Sequence, residues 1–211
     1  VSYSASWGYV APNGREYAIV GTYTGTQIVD ITNQDSIREI AHISGPSSDW
    51  REMRTYHDRA YVVSEGGGGV QIIDLRNLPV SASLIRAFRD TAAGIPSKHT
   101  NRSHTIEIFD GTMYLNGCAN WSPGGVLMYS LANPDTPKFV GKYEPEYIHD
   151  SYVRHDTIFG AAINSGGLNI GNIANKAAPV QIAKITYPGA GTHNSWTTAD
   201  GRYVITTDEI G

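Results

Sequence analysis

His149-Asp150-Ser151-Tyr152-Val153-Arg154-His155-Asp156-Thr157-Ile158-Phe159 reads as a short strand, a polar turn at Asp156 and the start of a second strand. The same pattern recurs four more times. Arg51-Glu52-Met53 leads through His57-Asp58-Arg59 to Tyr61, and His193-Asn194-Ser195-Trp196 leads through Asp200-Gly201 to Tyr203. Trp7 to Tyr17 and His104 to Tyr114 span the same interval, through Pro12-Asn13-Gly14 and Asp110-Gly111. Each unit therefore opens with a hairpin.

Outward from the hairpins the resemblance continues. A Gly-rich connection follows each of the first four (Thr24-Gly25, Gly66 to Gly69, Pro123-Gly124-Gly125, Gly166-Gly167), then a β-rich run such as Ile28-Val29-Asp30-Ile31 or Ile72-Ile73-Asp74-Leu75. A further turn opens a fourth run, as in Lys138-Phe139-Val140-Gly141-Lys142-Tyr143. The unit starts Trp7, Arg51, His104, His149 and His193 are 44, 53, 45 and 44 residues apart, the length of a four-stranded propeller blade. The long interval coincides with extra sequence at Asp90 to Ser103, and Ala119 to Ser122 lengthens a loop within the third unit. No amphipathic run suits the crossover helices of an α/β fold. The expectation is an all-β fold: a β-propeller of four-stranded antiparallel blades, one domain over residues 1–211. About five blades are represented and the last is incomplete.

Composition agrees. Abundant Gly (23) and Tyr (13), with 17% charged residues, favour short strands and tight turns over disorder. The net charge of −4, with scattered basic residues, excludes a nucleic-acid footprint. No apolar run is long enough for a transmembrane segment. The lone cysteine, Cys118, excludes an internal disulfide framework.

In a blade the first two strands are antiparallel, so the start of the first and the end of the second emerge on one face. The starts are Trp7, Arg51-Glu52, His104-Thr105, His149-Asp150 and His193-Asn194; the ends include Glu65, Cys118, Asn164 and Asp208-Glu209. His104, His149 and His193 thus occupy one repeat position in three successive units and are candidate ligands for a shared divalent metal ion. The alternative is that these rings bond to neighbouring blades as structural residues. Arg51, Glu52, Glu65, Asp150 and Asn194 are the ligand-binding candidates around them, Arg51 for its bidentate grip on carboxylates. Trp7 reads as packing, and Cys118 as a buried cysteine ahead of a nucleophile beside His104. His57 and His155 fall in hairpin turns, and His42 and His99 outside the repeated position. No Gly-x-Ser-x-Gly elbow, phosphate loop, His-Glu-x-x-His helix or Cys-x-x-Cys pair is present. The catalytic residues of any enzyme here are unknown from sequence.

Several stretches resemble the choice-of-anchor B family, exported bacterial propellers with LVIVD repeats. They are Trp7-Gly8-Tyr9-Val10, Gly45-Pro46-Ser47-Ser48-Asp49-Trp50-Arg51, Gly68-Gly69-Val70-Gln71-Ile72-Ile73-Asp74-Leu75, Tyr147-Ile148-His149-Asp150, Thr192-His193-Asn194-Ser195-Trp196 and Thr206-Thr207-Asp208-Glu209. The resemblance implies export to the bacterial surface or beyond and no settled activity. The reading that results is a non-catalytic binding module, its partner a small ligand or surface macromolecule. A metal-dependent hydrolase or lyase, with Asp150 or Glu52 as base, and a purely structural surface protein are the alternatives.

Overall fold

In the computed structural model the described residues are 2–90, 100–118 and 124–209, and among them the regular elements are all strands. Most of the Asp90 to Ser103 segment, with His99, and all of Ala119 to Ser122 lie outside them. Contacts divide the chain into two compact units, Val1–His104 with Asn133–Thr136, and Thr105–Ala132 with Pro137–Gly211.

The first unit carries two meanders of four antiparallel strands. The first is β1 (Tyr3–Val10), β2 (Glu16–Thr22), β3 (Gly25–Asp30) and β4 (Arg38–Ser44); the second is β5 (Arg51–Tyr56), β6 (Arg59–Ser64), β7 (Val70–Asp74) and β8 (Ser83–Phe88). The second unit carries two more: β9 (Thr105–Phe109) to β12 (Lys138–Tyr143) through β10 (Thr112–Asn116) and β11 (Val126–Ser130), then β13 (Asp150–Arg154), β14 (Thr157–Ala161), β15 (Leu168–Asn172) and β16 (Val180–Ile185). A two-stranded sheet follows, β17 (Thr192–Thr197) with β18 (Val204–Asp208). These are the blades of a β-propeller. Their first strands neighbour one another, β1 with β5, and β13 with both β9 and β17.

Burial explains why the inner strands lack simple alternation. Every residue of β6 and of β10 is buried, both faces being covered, whereas the outer strand β16 is exposed at nearly every position. The aromatics that close the first three hairpins are core: Tyr17, Tyr61 and Tyr114 are at most 1% exposed. One irregularity repeats through four blades. The third and fourth strands shift register by a residue, leaving Ile40, Ile85, Val140 and Ile182 as the extra residue of the outer strand.

Two hairpins depart from the expected spacing. Trp7 is the fifth residue of β1, not its start, because the first hairpin closes through Ala11 to Arg15 where the next three use two residues. Tyr17 consequently pairs with Tyr9, while Tyr61 pairs with Arg54. Trp7 packs as expected: its Nε1 donates to Thr55 Oγ1 at 3.1 Å and the Arg54 guanidinium lies 4.3 Å over its ring. Tyr203 is 63% exposed and precedes β18, because the last hairpin turns through Thr198 to Tyr203. In the two-residue loops His57 and His155 take positive φ (51° and 50°), as do Asp110 and Gly111 together (45° and 66°), the signature of a mirror-image type I′ turn.

Turns between third and fourth strands dock on the preceding blade within each unit. The 133–136 turn, which belongs with the first unit, gives Asp135 to Arg59, Nε to Oδ1 at 2.7 Å and Nη2 to Oδ2 at 3.3 Å, and its Pro134 carbonyl accepts from Tyr61 at 2.8 Å. In the second unit the turn at Lys176 instead lies on Gly141, where a Cβ would come within 1.7 Å of the Lys176 carbonyl oxygen.

Candidate functional site

Local structure fixes each histidine differently. His104 immediately precedes β9, joined by a peptide bond to Thr105, whose Oγ1 donates to the His149 carbonyl at 3.2 Å. His149 immediately precedes β13 and its amide donates to the Ala161 carbonyl at 2.8 Å. His193 lies inside β17 at a register shift, between the pairs Thr192 with Asp208 and Asn194 with Thr207. A bulge re-aims the residue it displaces, and here it turns His193 out of the ladder. Sequence spacing found the position but not this device.

His149 and His193, both in the second unit, are half-buried, and His104, in the first unit, is half-buried as well. The His149 and His193 rings stand 4.8 Å apart between centroids, tilted by 51°. Around a tetrahedral zinc with bonds of about 2.0–2.1 Å, ligand nitrogens sit roughly 3.4 Å apart. Two protonated imidazoles this close repel, whereas a shared cation removes the repulsion.

Each imidazole has an oxygen beside it. Glu65 Oε1 lies 2.6 Å from His104 Nδ1, Tyr147 Oη 3.4 Å from His149 Nδ1, and Glu209 Oε2 3.7 Å from His193 Nε2. A carboxylate on Nδ1 fixes tautomer and ring orientation and makes the other nitrogen the better ligand. Glu65 stands in that relation to His104.

The remaining sequence candidates divide. Asp150 is buried: Oδ1 accepts from the Ser151 amide at 2.7 Å and Oδ2 from Asn194 Nδ2. Asp150 and Asn194 therefore tie β13 to β17 and hold their histidines in register. Glu52 accepts from Arg54 at 2.6 Å. Arg51, 2% exposed, is given to the backbone: Nε donates to the Thr22 carbonyl at 3.2 Å and Nη2 to the Pro46 carbonyl at 2.6 Å. Its charge is the sequence feature that suggested a ligand, and burial puts it inside the wall. Cys118 is buried, with Sγ 3.7 Å from the Leu115 carbonyl.

No family model matches this sequence, and no curated protein matches it. Solved structures do. A Bacteroides uniformis protein assigned as a 6-phosphogluconolactonase superposes with TM-score 0.65 at 14% identity, covering 94% of this chain and 62% of its own. The periplasmic gluconolactonase of Pseudomonas aeruginosa gives 0.63 at 15%, covering 94% and 63%. The computationally designed protein Ika8 gives 0.63 at 9%, covering 90% and 52%. This chain thus spans about three fifths of the length of the two lactonase-type structures. A designed protein matches as well as an enzyme does, so the likeness speaks for the fold. Among the described residues no helix is long and apolar enough to cross a membrane.

Proposed function

We propose that the chain is part of an exported or cell-surface bacterial propeller whose His104, His149 and His193 hold one divalent transition-metal ion, the metal-bearing face serving as a binding module for a small ligand or surface macromolecule. The observation that carries this reading is the approach of the His149 and His193 rings to 4.8 Å between centroids in the second unit, with His104 at the same repeat position one blade earlier. Neutral imidazole suits zinc, copper, iron or nickel ahead of the hard oxygen-seeking cations. Glu65 orients one ligand, and the Asp150 to Asn194 bond braces the other two. Export is supported by the resemblance to the choice-of-anchor B propellers and by the periplasmic location stated for the Pseudomonas neighbour.

Purified protein is to be incubated with Zn²⁺, desalted and subjected to elemental analysis. One zinc per chain is expected in the native sequence and none in His149→Ala, whose circular dichroism should match the parent. Absence of retained metal in the native protein, or equal retention in the variant, rejects the reading.

A hydrolytic reading has one observation in its favour: three protein ligands leave a coordination position for water, as catalytic zinc sites do. Lactone hydrolysis is the reaction to try first, given what the two neighbours are named for. Asp150 and Glu52 are each hydrogen-bonded elsewhere. Glu65 is engaged too, by His104 Nδ1, but its side chain is 39% exposed, which makes it the more accessible base.

A further inference from the structure

A second site lies in the second unit. The β14–β15 loop and the connection from β16 to β17 enclose a shallow groove of about 520 Å³, with Asn164, Ser165 and Gly166 on one side and Thr186, Tyr187 and Gly189 on the other. Gly166 lets the two walls approach: a Cβ there would come within 2.6 Å of the Ala190 carbonyl oxygen.

Tyr187 is 41% exposed yet held in place. Its hydroxyl donates to Asp208, 2.6 and 2.7 Å from the two carboxylate oxygens, and sits 3.4 Å from Thr192 Oγ1. An exposed ring clamped by its own hydroxyl offers a flat apolar face with little entropy left to lose on binding. Opposite it, Ser165 is fixed by Glu146 and by Lys184, whose Nζ donates to Ser165 Oγ at 2.9 Å. Burial pushes the Glu146 carboxyl up, but hydrogen bonds from Lys184, Ser165 and Asn169 outweigh it and hold the group below its usual range, so this support is ionic and stays formed near neutrality. The exposed Asn164 amide makes no hydrogen bond to a described residue and presents both a donor and an acceptor.

None of the lining residues carries a charge. An anionic ligand would need a cation, and Lys184 is already paired with Glu146 at 2.9 Å. An apolar ligand would leave the hydroxyls and amide unmatched. A sugar ring, with C–H groups on its faces and hydroxyls around its edge, meets both requirements. We propose that this groove binds a neutral carbohydrate, one ring stacked on Tyr187 with its hydroxyls bonded by Asn164, Ser165 and Thr186. The site stands apart from the histidine reading and needs no metal ion.

The test is a nuclear magnetic resonance titration of EDTA-treated protein with cellotriose and, separately, maltotriose, which present β- and α-linked glucose. Saturable shifts at Thr186, Gly189 and the Tyr187 ring are expected with at least one of them. Tyr187→Ala should weaken binding at least tenfold, and Tyr187→Phe, which keeps the ring but loses the clamp, only a few-fold. No saturable shift with either sugar, or equal binding by Tyr187→Ala with an unchanged spectrum elsewhere, overturns the proposal. Because chelator is present throughout, neither outcome depends on whether the histidines hold metal.

Discussion

The starts of β5 and β13 occupy the same place in the repeat and do opposite things. Arg51 enters the wall: its long side chain reaches back to the Thr22 and Pro46 carbonyls and is fully enclosed. His149, in the corresponding position, is too short to reach across and stops beside His193. Backbone geometry supplies a position, and side-chain reach decides whether it becomes a brace or a ligand. A guanidinium offers five donors and no lone pair, so carbonyl oxygens suit it, whereas a neutral imidazole has a lone pair for a cation.

The comparison is broken most severely at Arg51. Arg51→Ala removes a buried side chain and leaves two carbonyls without their donor, which should cost about 3 kcal/mol or more. Chemical denaturation measures this, and a loss below about 1 kcal/mol would place the guanidinium among dispensable contacts. Glu65→Gln sharpens the other side. It keeps the shape but removes the charge on His104 Nδ1, so zinc affinity should fall roughly 10–100-fold with stability nearly unchanged. Competition with a chromogenic chelator reads the change; unaltered affinity would detach Glu65 from the site.

Acid separates the regions more gently. Protons compete with metal for imidazole nitrogens, so zinc retention should decline as the solution is acidified. In the first unit the Arg76 hydrogen bond, ahead of the Arg59 charge, holds the Asp74 carboxyl down to about 2, against an opposing effect of burial. A depressed folded-state value means stability that is present above the unfolded carboxylate value, near roughly 3.9, and lost as pH falls toward the folded one. Asp74→Asn should therefore lower the melting temperature at pH 6, by an amount equivalent to on the order of 1 kcal/mol after solvent screening, and have little effect at pH 2. A constant difference across that range would mean the pair contributes through shape, not charge.

Much of this was legible in the chain. A period near 44 residues and glycines between second and third strands sufficed for the blades, and histidines at one repeat position singled out the candidate ligands. What escaped has identifiable causes. Trp7 and Tyr203 matched the spacing by coincidence, since longer turns at Ala11 to Arg15 and Thr198 to Tyr203 move residues relative to their partners without changing the count between landmarks. Burial of Arg51 was hidden by its charge, because a sequence does not show which carbonyls converge on a guanidinium. The bulge at His193 leaves no compositional mark. The groove at Tyr187 depends on a clamp between residues 21 positions apart.

The docking of successive turns bears on how such a protein can be recombined. Asp135 fits a blade that offers Arg59, and the Lys176 turn fits a blade that offers Gly141. At the place of Gly141 the second blade carries Arg86, as the pairing of each with its third strand shows. A cassette exchange that moved β13–β16 next to β5–β8 would therefore drive the Lys176 carbonyl into an arginine side chain and leave Arg59 facing Ala177 in place of a carboxylate. The repeats share a backbone template, but their joints are keyed. Shuffled or duplicated blades would need the receiving residue transplanted along with the turn, and the succession of blades is in this sense written into single side chains.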